Sequence, residues 1–282
     1  MNYVAVISPD RRDGSLEAGH ALGFQYGMEL GFDGEAVRHS FTLRCVPTDT
    51  LRQRVESLQV SVTPDIQFTR DTDGFGNVLL EGTVPGPHGM FSVSVQGTVA
   101  VGDCGGVPVP EAAETGDDGM LFRYQTPKTT PGPALKGLAD SIRTDGGNLE
   151  VATDAMHLVH SSLRYEKGVT GPGTTAEEAM ALGRGVCQDY SQVMISALRA
   201  LDVPCRYVVG FTVGEGESHA WVEVLDGGLW YGLDPTGDFP VGRDHIKVSH
   251  GRDYEDCRIN RGVFFGARES YQRVLATVAR IR

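Results

Sequence analysis

The sequence predicts an α+β protein in two parts: an N-terminal antiparallel β-sandwich with its connector over residues 1–125, and a mixed helix-and-strand domain over 126–282. Three observations predict it. Short runs with strand alternation fill residues 20–101, and a segment rich in Gly, Pro and acidic residues follows over 102–133. Beyond that, apolar residues recur at spacings of three and four, the period of a helix. A length of 282 residues suits about two domains, at roughly 150 residues each, and leaves room for a sizeable core.

The β-rich half is justified by "HSFTLRCV" (39–46), "RVESLQVSV" (54–62), "NVLLEGTV" (77–84) and "MFSVSVQGTVAV" (90–101). The stretches "TPD", "DTDGFGN" and "PGPHG" between them carry turn chemistry. After the connector, helical spacing appears in "ALKGLADSIR" (134–143), in 148–165 and in "TAEEAMAL" (175–182). A further helix begins at Cys187, and strands are expected at about 205–213, 219–225 and 229–234. No repeat of 20–50 residues is present.

Composition narrows the function. Asp and Glu total 37 against 25 Lys and Arg, a formal charge of −12 that repels phosphate backbones and argues against nucleic acid as the main partner. No run of 18 apolar residues predicts a membrane span, and the N-terminal residues lack the apolar core of a signal peptide. The five cysteines, Cys45, Cys104, Cys187, Cys205 and Cys257, are odd in number and contain no C-x-x-C pair. They predict free thiols and a cytoplasmic location rather than a disulfide framework or a zinc site. Nothing predicts a cofactor, and the oligomeric state is left open.

"GRGVCQDYSQVMISALRALDVPCRYVVGF" (183–211) sets one cysteine at the start of an amphipathic helix. Tyr190, Met194, Ala197, Leu198 and Leu201 define its apolar face, and Asp202 with Pro204 ends it. Cys187 therefore occupies the first turn, where free backbone N–H groups and the positive end of the helix dipole favour an anion such as a thiolate. A nucleophile and a small buried filler are both consistent with this stretch. The other four cysteines have no such helix start and read as fillers.

Downstream, "ESHAWVEVLDGGLWYGLDPTG" (217–237) reads as a hairpin turning at Asp226-Gly227 or at Gly227-Gly228. With the first turn His219 directly opposes Asp234; with the second, the two are diagonal neighbours. Either register places both side chains on one face, as does Trp221, while Ala220, Val222 and Val224 point the other way. A carboxylate accepting from an imidazole N–H fixes the tautomer and aims the other ring nitrogen. Each residue also has an ordinary reading, His219 as a solvated strand residue and Asp234 as a turn starter. An activated cysteine nevertheless needs a base and the base needs an orienter, and the chain supplies all three.

Together "GRGVCQDYSQVMISALRALDVPCRYVVGF", "SHAWVEV" and "YGLDPT" resemble the core of the transglutaminase-like superfamily, including bacterial members described as cysteine proteases. "DHIKVSHGRDYEDCRINRGVF" is similar to the bacterial branch, and the β-rich half resembles the N-terminal domain that precedes the core there. The resemblance implies a papain-like (transglutaminase core) α+β fold and acyl transfer through a thioester. Carried onto this chain it makes Cys187 the nucleophile, His219 the general base and acid, and Asp234 the orienter. Gln188 stands where glycine often follows the cysteine in related sequences, though Gln188-Asp189 is common in the bacterial branch. Tyr165, Gln188 and Trp221 are candidates for the oxyanion or substrate site, Tyr165 having core packing as its other reading; the backbone N–H of Cys187 is a further oxyanion donor.

His157 and His160 have a spacing that can hold a metal, but no further ligand is placed beside them, so no metal is expected. The acidic residues after 236 form no calcium loop. Three functions remain: a cysteine hydrolase cutting peptide or isopeptide amides of a protein or peptide substrate, a protein-glutamine transglutaminase using an amine acceptor, and a non-catalytic binding or scaffolding module.

Overall fold

The computed structural model describes residues 4–6, 20–102, 110–112 and 119–281. Cys104, residues 1–3 and 7–19, and much of the connector lie outside the described residues. In chain order the first half contains β1 (Val4–Val6), β2 (His20–Leu43), β3 (Gln53–Thr63), β4 (Phe68–Thr72), β5 (Val78–Val84), β6 (His88–Val101) and β7 (Glu111–Ala112). A 3-10 turn, Met120–Arg123, leads into α1 (Pro133–Asp140), α2 (Asn148–Ser162), β8 (Arg164–Tyr165), α3 (Ala176–Leu182), β9 (Arg184–Gly185) and α4 (Cys187–Ala200). Then come β10 (Cys205–Thr212), β11 (Gly214–Gly216), β12 (His219–Asp226), β13 (Leu229–Asp234), β14 (Phe239–Pro240), β15 (His245–Gly251), β16 (Asn260–Phe265) and β17 (Glu269–Arg280).

The first domain is one antiparallel sheet curled on itself. Strand β2 pairs with β6 along its first half and with β5 along its second, and the register slips between Gly31 and Ala36. Its two halves thereby close over a shared core of alternating strand residues such as Leu22, Phe24, Tyr26, Leu43, Val60, Leu80 and Val95. Strands β16 and β17, which the sequence reading grouped with the second domain and to which it assigned no element, run antiparallel to β2 over Val37–Leu43 and Leu22–Phe32. Their residues are mostly exposed, so no clean apolar alternation announces them.

The second sheet has the order β14-β13-β12-β10-β15, with β7 from the connector added to β13. It is a middle layer. Ala220, Val222 and Val224 pack under the helices, while Phe211, Ile246 and Val248 join the core of the first domain. Burial on both faces makes β12 buried at all six of its interior positions, where an alternating pattern would leave one face wet. Helix α4 is likewise buried from Asp189 to Arg199, not along one face, because α1, α2, α3 and the sheet all pack on it. Strand β15 is the sheet's edge, and the first domain covers it. Gln53 donates to the Lys247 carbonyl and accepts from its N–H, Asn77 does the same with His250, and Arg52 donates to the His245 carbonyl. Side chains thus satisfy backbone groups that an exposed edge would leave to water.

Candidate active site

Local chemistry fixes the start of α4. Val186 is extended and Cys187 opens the helix. Asp189, three residues into the element, turns its carboxylate back to accept from the Val186 N–H at 2.8 Å and from the Thr170 hydroxyl at 2.6 Å. This ties the cysteine turn to the 166–175 loop and places negative charge at the helix start, where it is favoured. A Cβ on Gly185 would fall 2.5 Å from Asp189 Oδ2, so the glycine two positions before the cysteine makes room for that return. Strands β8 and β9 pair in parallel, Tyr165 with Gly185, which brings Tyr165 beside the same turn.

The hairpin takes the second of its two possible registers. Gly227 and Gly228 form the turn at φ 57° and 80°, Asp226 pairs with Leu229 and Val222 with Leu233. His219 and Asp234 are therefore diagonal, and imidazole Nε2 lies 2.7 Å from Asp234 Oδ2. The other carboxylate oxygen accepts from the N–H groups of Thr236 at 2.9 Å and Gly237 at 3.3 Å, so the Asp-Pro turn holds the carboxylate in place. With Nε2 engaged, Nδ1 is the ring nitrogen left free, and Cys187 lines the same cleft as His219. Burial alone would lower the His219 pKa, but the hydrogen bond to Asp234, the neighbouring Cys187 and the charge of Asp234 raise it to about 10. Burial opposes ionisation of Asp234 too, and the hydrogen bond from His219 together with the nearby His245 imidazole overcomes it, holding the carboxyl well below the usual range.

Cys187, His219, Gln188 and Tyr165 line one cleft of about 730 Å³. Tyr165 is 49% exposed, so it is a cleft residue and not core packing. The Gln188 side chain lines this wall, with Nε2 buried and without a hydrogen-bond partner. Trp221 does not reach the cleft. It is fully buried with Val208 and Val241, its ring 6.3 Å from that of His219 and 5.4 Å from that of His245, Val241 coming from the loop after β14. It backs the histidine instead of meeting substrate. Cys45, Cys205 and Cys257 are buried, and burial raises their thiols, the first two to about 12 and about 11.

Sequence reasoning missed His245, whose Nε2 lies 3.6 Å from Asp234 Oδ2, and Asp189 as the return cap. The Asp189 signal was present, an acidic residue two positions after the cysteine; that of His245 was not, since β15 reaches Asp234 only through the sheet. His219, Asp234 and His245 each bring one ligand atom within 4.8 Å of the others, yet the 2.7 Å contact is that of an N–H···O hydrogen bond. His157 and His160 diverge, to Asp238 and to the Pro235 carbonyl, and brace the loop after Asp234.

The chain thus combines a curled antiparallel sheet with a helix-backed sheet, and one cleft holds a cysteine at a helix start and the histidine of a His-Asp pair. Residues 136–235 match the transglutaminase-like superfamily and residues 25–100 the bacterial transglutaminase-like N-terminal region, and the chain belongs to that superfamily. An uncharacterized protein of Mycobacterium leprae is 26% identical over 278 residues, covering 93% of this chain and 97% of that protein. One of Mycobacterium tuberculosis is 26% identical over 253 residues, covering 78% and 79%. The crystal structure of a candidate cysteine protease from Cytophaga hutchinsonii superposes with a TM-score of 0.74 at 19% identity, over 100% of this chain and 93% of that one, which shows the shared fold. No helix among the described residues is long and apolar enough to cross a membrane.

Proposed function

We propose that this protein is a cysteine-dependent hydrolase of peptide or isopeptide amides, with Cys187 as nucleophile, His219 as acid and base, and Asp234 as orienter. The observation that carries the reading is the His219–Asp234 hydrogen bond at 2.7 Å, with His219 and the helix-start Cys187 lining one cleft. The Cys187 sulfur adds to the amide carbon, and the oxyanion takes donors from the Cys187 N–H and Gln188 Nε2. The His219 imidazolium passes its proton to the amide nitrogen, the C–N bond breaks and the amine leaves. Water then gives a proton to His219 and adds to the thioester; the C–S bond breaks, releasing the acid and restoring the thiolate beside an imidazolium. An imidazole pKa near 10 keeps that proton available at neutral pH.

Free, buried thiols at Cys45, Cys205 and Cys257 suit a reducing compartment such as the cytoplasm. The test is mapping of iodoacetamide labelling, with Cys187 reacting before the other four cysteines and faster than in His219→Ala; equal rates would remove the reading. Casein with a fluorescent primary amine then separates hydrolysis from transamidation. Cleavage without incorporation is expected, and incorporation lost in Cys187→Ala would assign the amine-transfer activity instead.

A further inference from the structure

The catalytic cleft shares a wall with a second, larger space. A groove of about 1180 Å³ over the curled sheet is lined by Phe41, Phe68 and Phe264 among others, and Arg258, Asn260 and Gln272 line both it and the cleft. Strands β16 and β17 run along this junction. Both pair with β2 on one side; among the described residues, the other side of β16 has no strand, and β17 carries only β11, over Ala276–Val278. The outer edge of Glu269–Leu275 is thus about 23 Å of unpaired strand. Such edges bind extended chains.

Where that edge begins ties it to the chemistry. Strand β11 ends at Gly216, opposite Ala276, and the chain then leaves the first sheet so that His219 can open β12 in the second. The open stretch starts where the chain turns off towards its base. Gln272 and Val274, on this stretch, line the cleft itself. Leu275 on this stretch, and Val263 and Phe265 on β16, are each more than half exposed, offering apolar contact to side chains of an added strand.

We propose that an extended segment of a protein substrate adds as a β-strand to the outer edge of Glu269–Leu275, in line with β11, and so runs from the cleft into the groove of the first domain. This rests on the hydrolase reading above and names its substrate class: unfolded or extended polypeptide, held mainly by backbone hydrogen bonds and therefore tolerant of sequence. Small amides gain nothing from this edge.

The test compares Cys187 labelling of the full chain by iodoacetamide with labelling by alternating threonine-alanine peptides of two, four and six residues. One series carries a C-terminal chloromethyl ketone and the other an N-terminal chloroacetyl group, covering both directions from the scissile bond. The expected result is a rate that rises about tenfold from two residues to six in one series, as one or two net ladder hydrogen bonds would give. N-methylation of alternate amides should cancel that gain in one phase and spare it in the other, since only every second N–H of a strand faces a given neighbour. Rates that do not change with length in either series, or equal loss from both methylation phases, would overturn the proposal while selective iodoacetamide labelling left the hydrolase reading standing. Loss of that selectivity would sink both. Sedimentation showing that the edge pairs two copies of the chain would also overturn it.

Discussion

At one end of the second sheet, Arg206, Glu223, Lys247 and Glu111 meet in a sealed cluster; at the other end of the same face stand His219, Asp234 and His245. Both groups are polar and buried, yet their accounts differ. In the first, Arg206 Nε and Lys247 Nζ each donate to Glu223 Oε2 at 2.7 Å, and Lys247 also donates to Glu111 Oε2 at 2.6 Å. Two cations face two anions, and Trp230 covers the Arg206 guanidinium at 4.2 Å. In the second, one carboxylate faces two imidazoles, both ring nitrogens of His245 lack a hydrogen-bond partner, and His219 lines an open cleft together with Cys187. A buried network that closes on itself supports the fold, whereas one that ends at a cavity is placed to act on what enters.

The strongest way to break the comparison is Cys187→Ala. Removing the sulfur from the cleft on which the second network opens should lower amide hydrolysis by about 10⁴-fold or more. The melting temperature should hold, because the cysteine is only partly buried at a helix start. Residual turnover within tenfold of the parent would move the chemistry elsewhere. Asp234→Asn comes next. The amide oxygen can still accept from the Thr236 and Gly237 N–H groups, so the turn survives, but the imidazole loses its anionic partner. A fall of roughly 10³-fold in turnover is expected, with iodoacetamide labelling of Cys187 slowed in parallel; labelling at the parental rate would contradict Asp234 as orienter.

The sealed network should respond in the opposite currency. Glu223→Gln leaves Arg206 and Lys247 short of an anion inside the protein and should cost about 3 kcal/mol in urea unfolding, with Cys187 labelling unchanged in the folded fraction. Glu223→Leu combined with Lys247→Met removes a cation and an anion together and should recover most of that loss, leaving Arg206 with Glu111. If the double variant is no more stable than the single one, the cluster is not the closed ion network described.

Much of this was legible before the structure. The four β-rich runs of the first domain, the helices from Pro133 onward and the hairpin carrying His219 were written in periodicity and turn residues, because each is a local pattern. The pairing of His219 with Asp234 followed from a two-residue turn whichever register it took. Trp221 was placed on the correct face but not at the correct depth, since depth depends on what covers the sheet. Strands β16 and β17 stayed hidden for a related reason. They are exposed, they pair with β2 more than 200 residues away, and the apolar alternation that reveals half-buried strands is missing from them. The charged cluster was equally invisible, Glu111 arriving from a connector whose composition reads only as turns.

The smallest effect concerns pH and sharpens the contrast between the two ends. The His219 pKa stands near 10 in the folded chain against about 6.5 for an unhindered imidazole. A group raised on folding stabilises fully below its unfolded value, and that contribution is lost as pH rises through the folded value. Asp234, held low, stays ionised throughout this window, so the imidazole alone titrates within the pair. In Asp234→Asn the main cause of the elevation is gone. The gap in melting temperature between the parent and Asp234→Asn should therefore be widest near pH 6.5 and narrow steadily toward pH 10, other titrations cancelling in the difference. A gap that is constant or grows with pH would mean that the imidazole is neutral in the resting protein, and His219 would then have no proton to give the leaving amine.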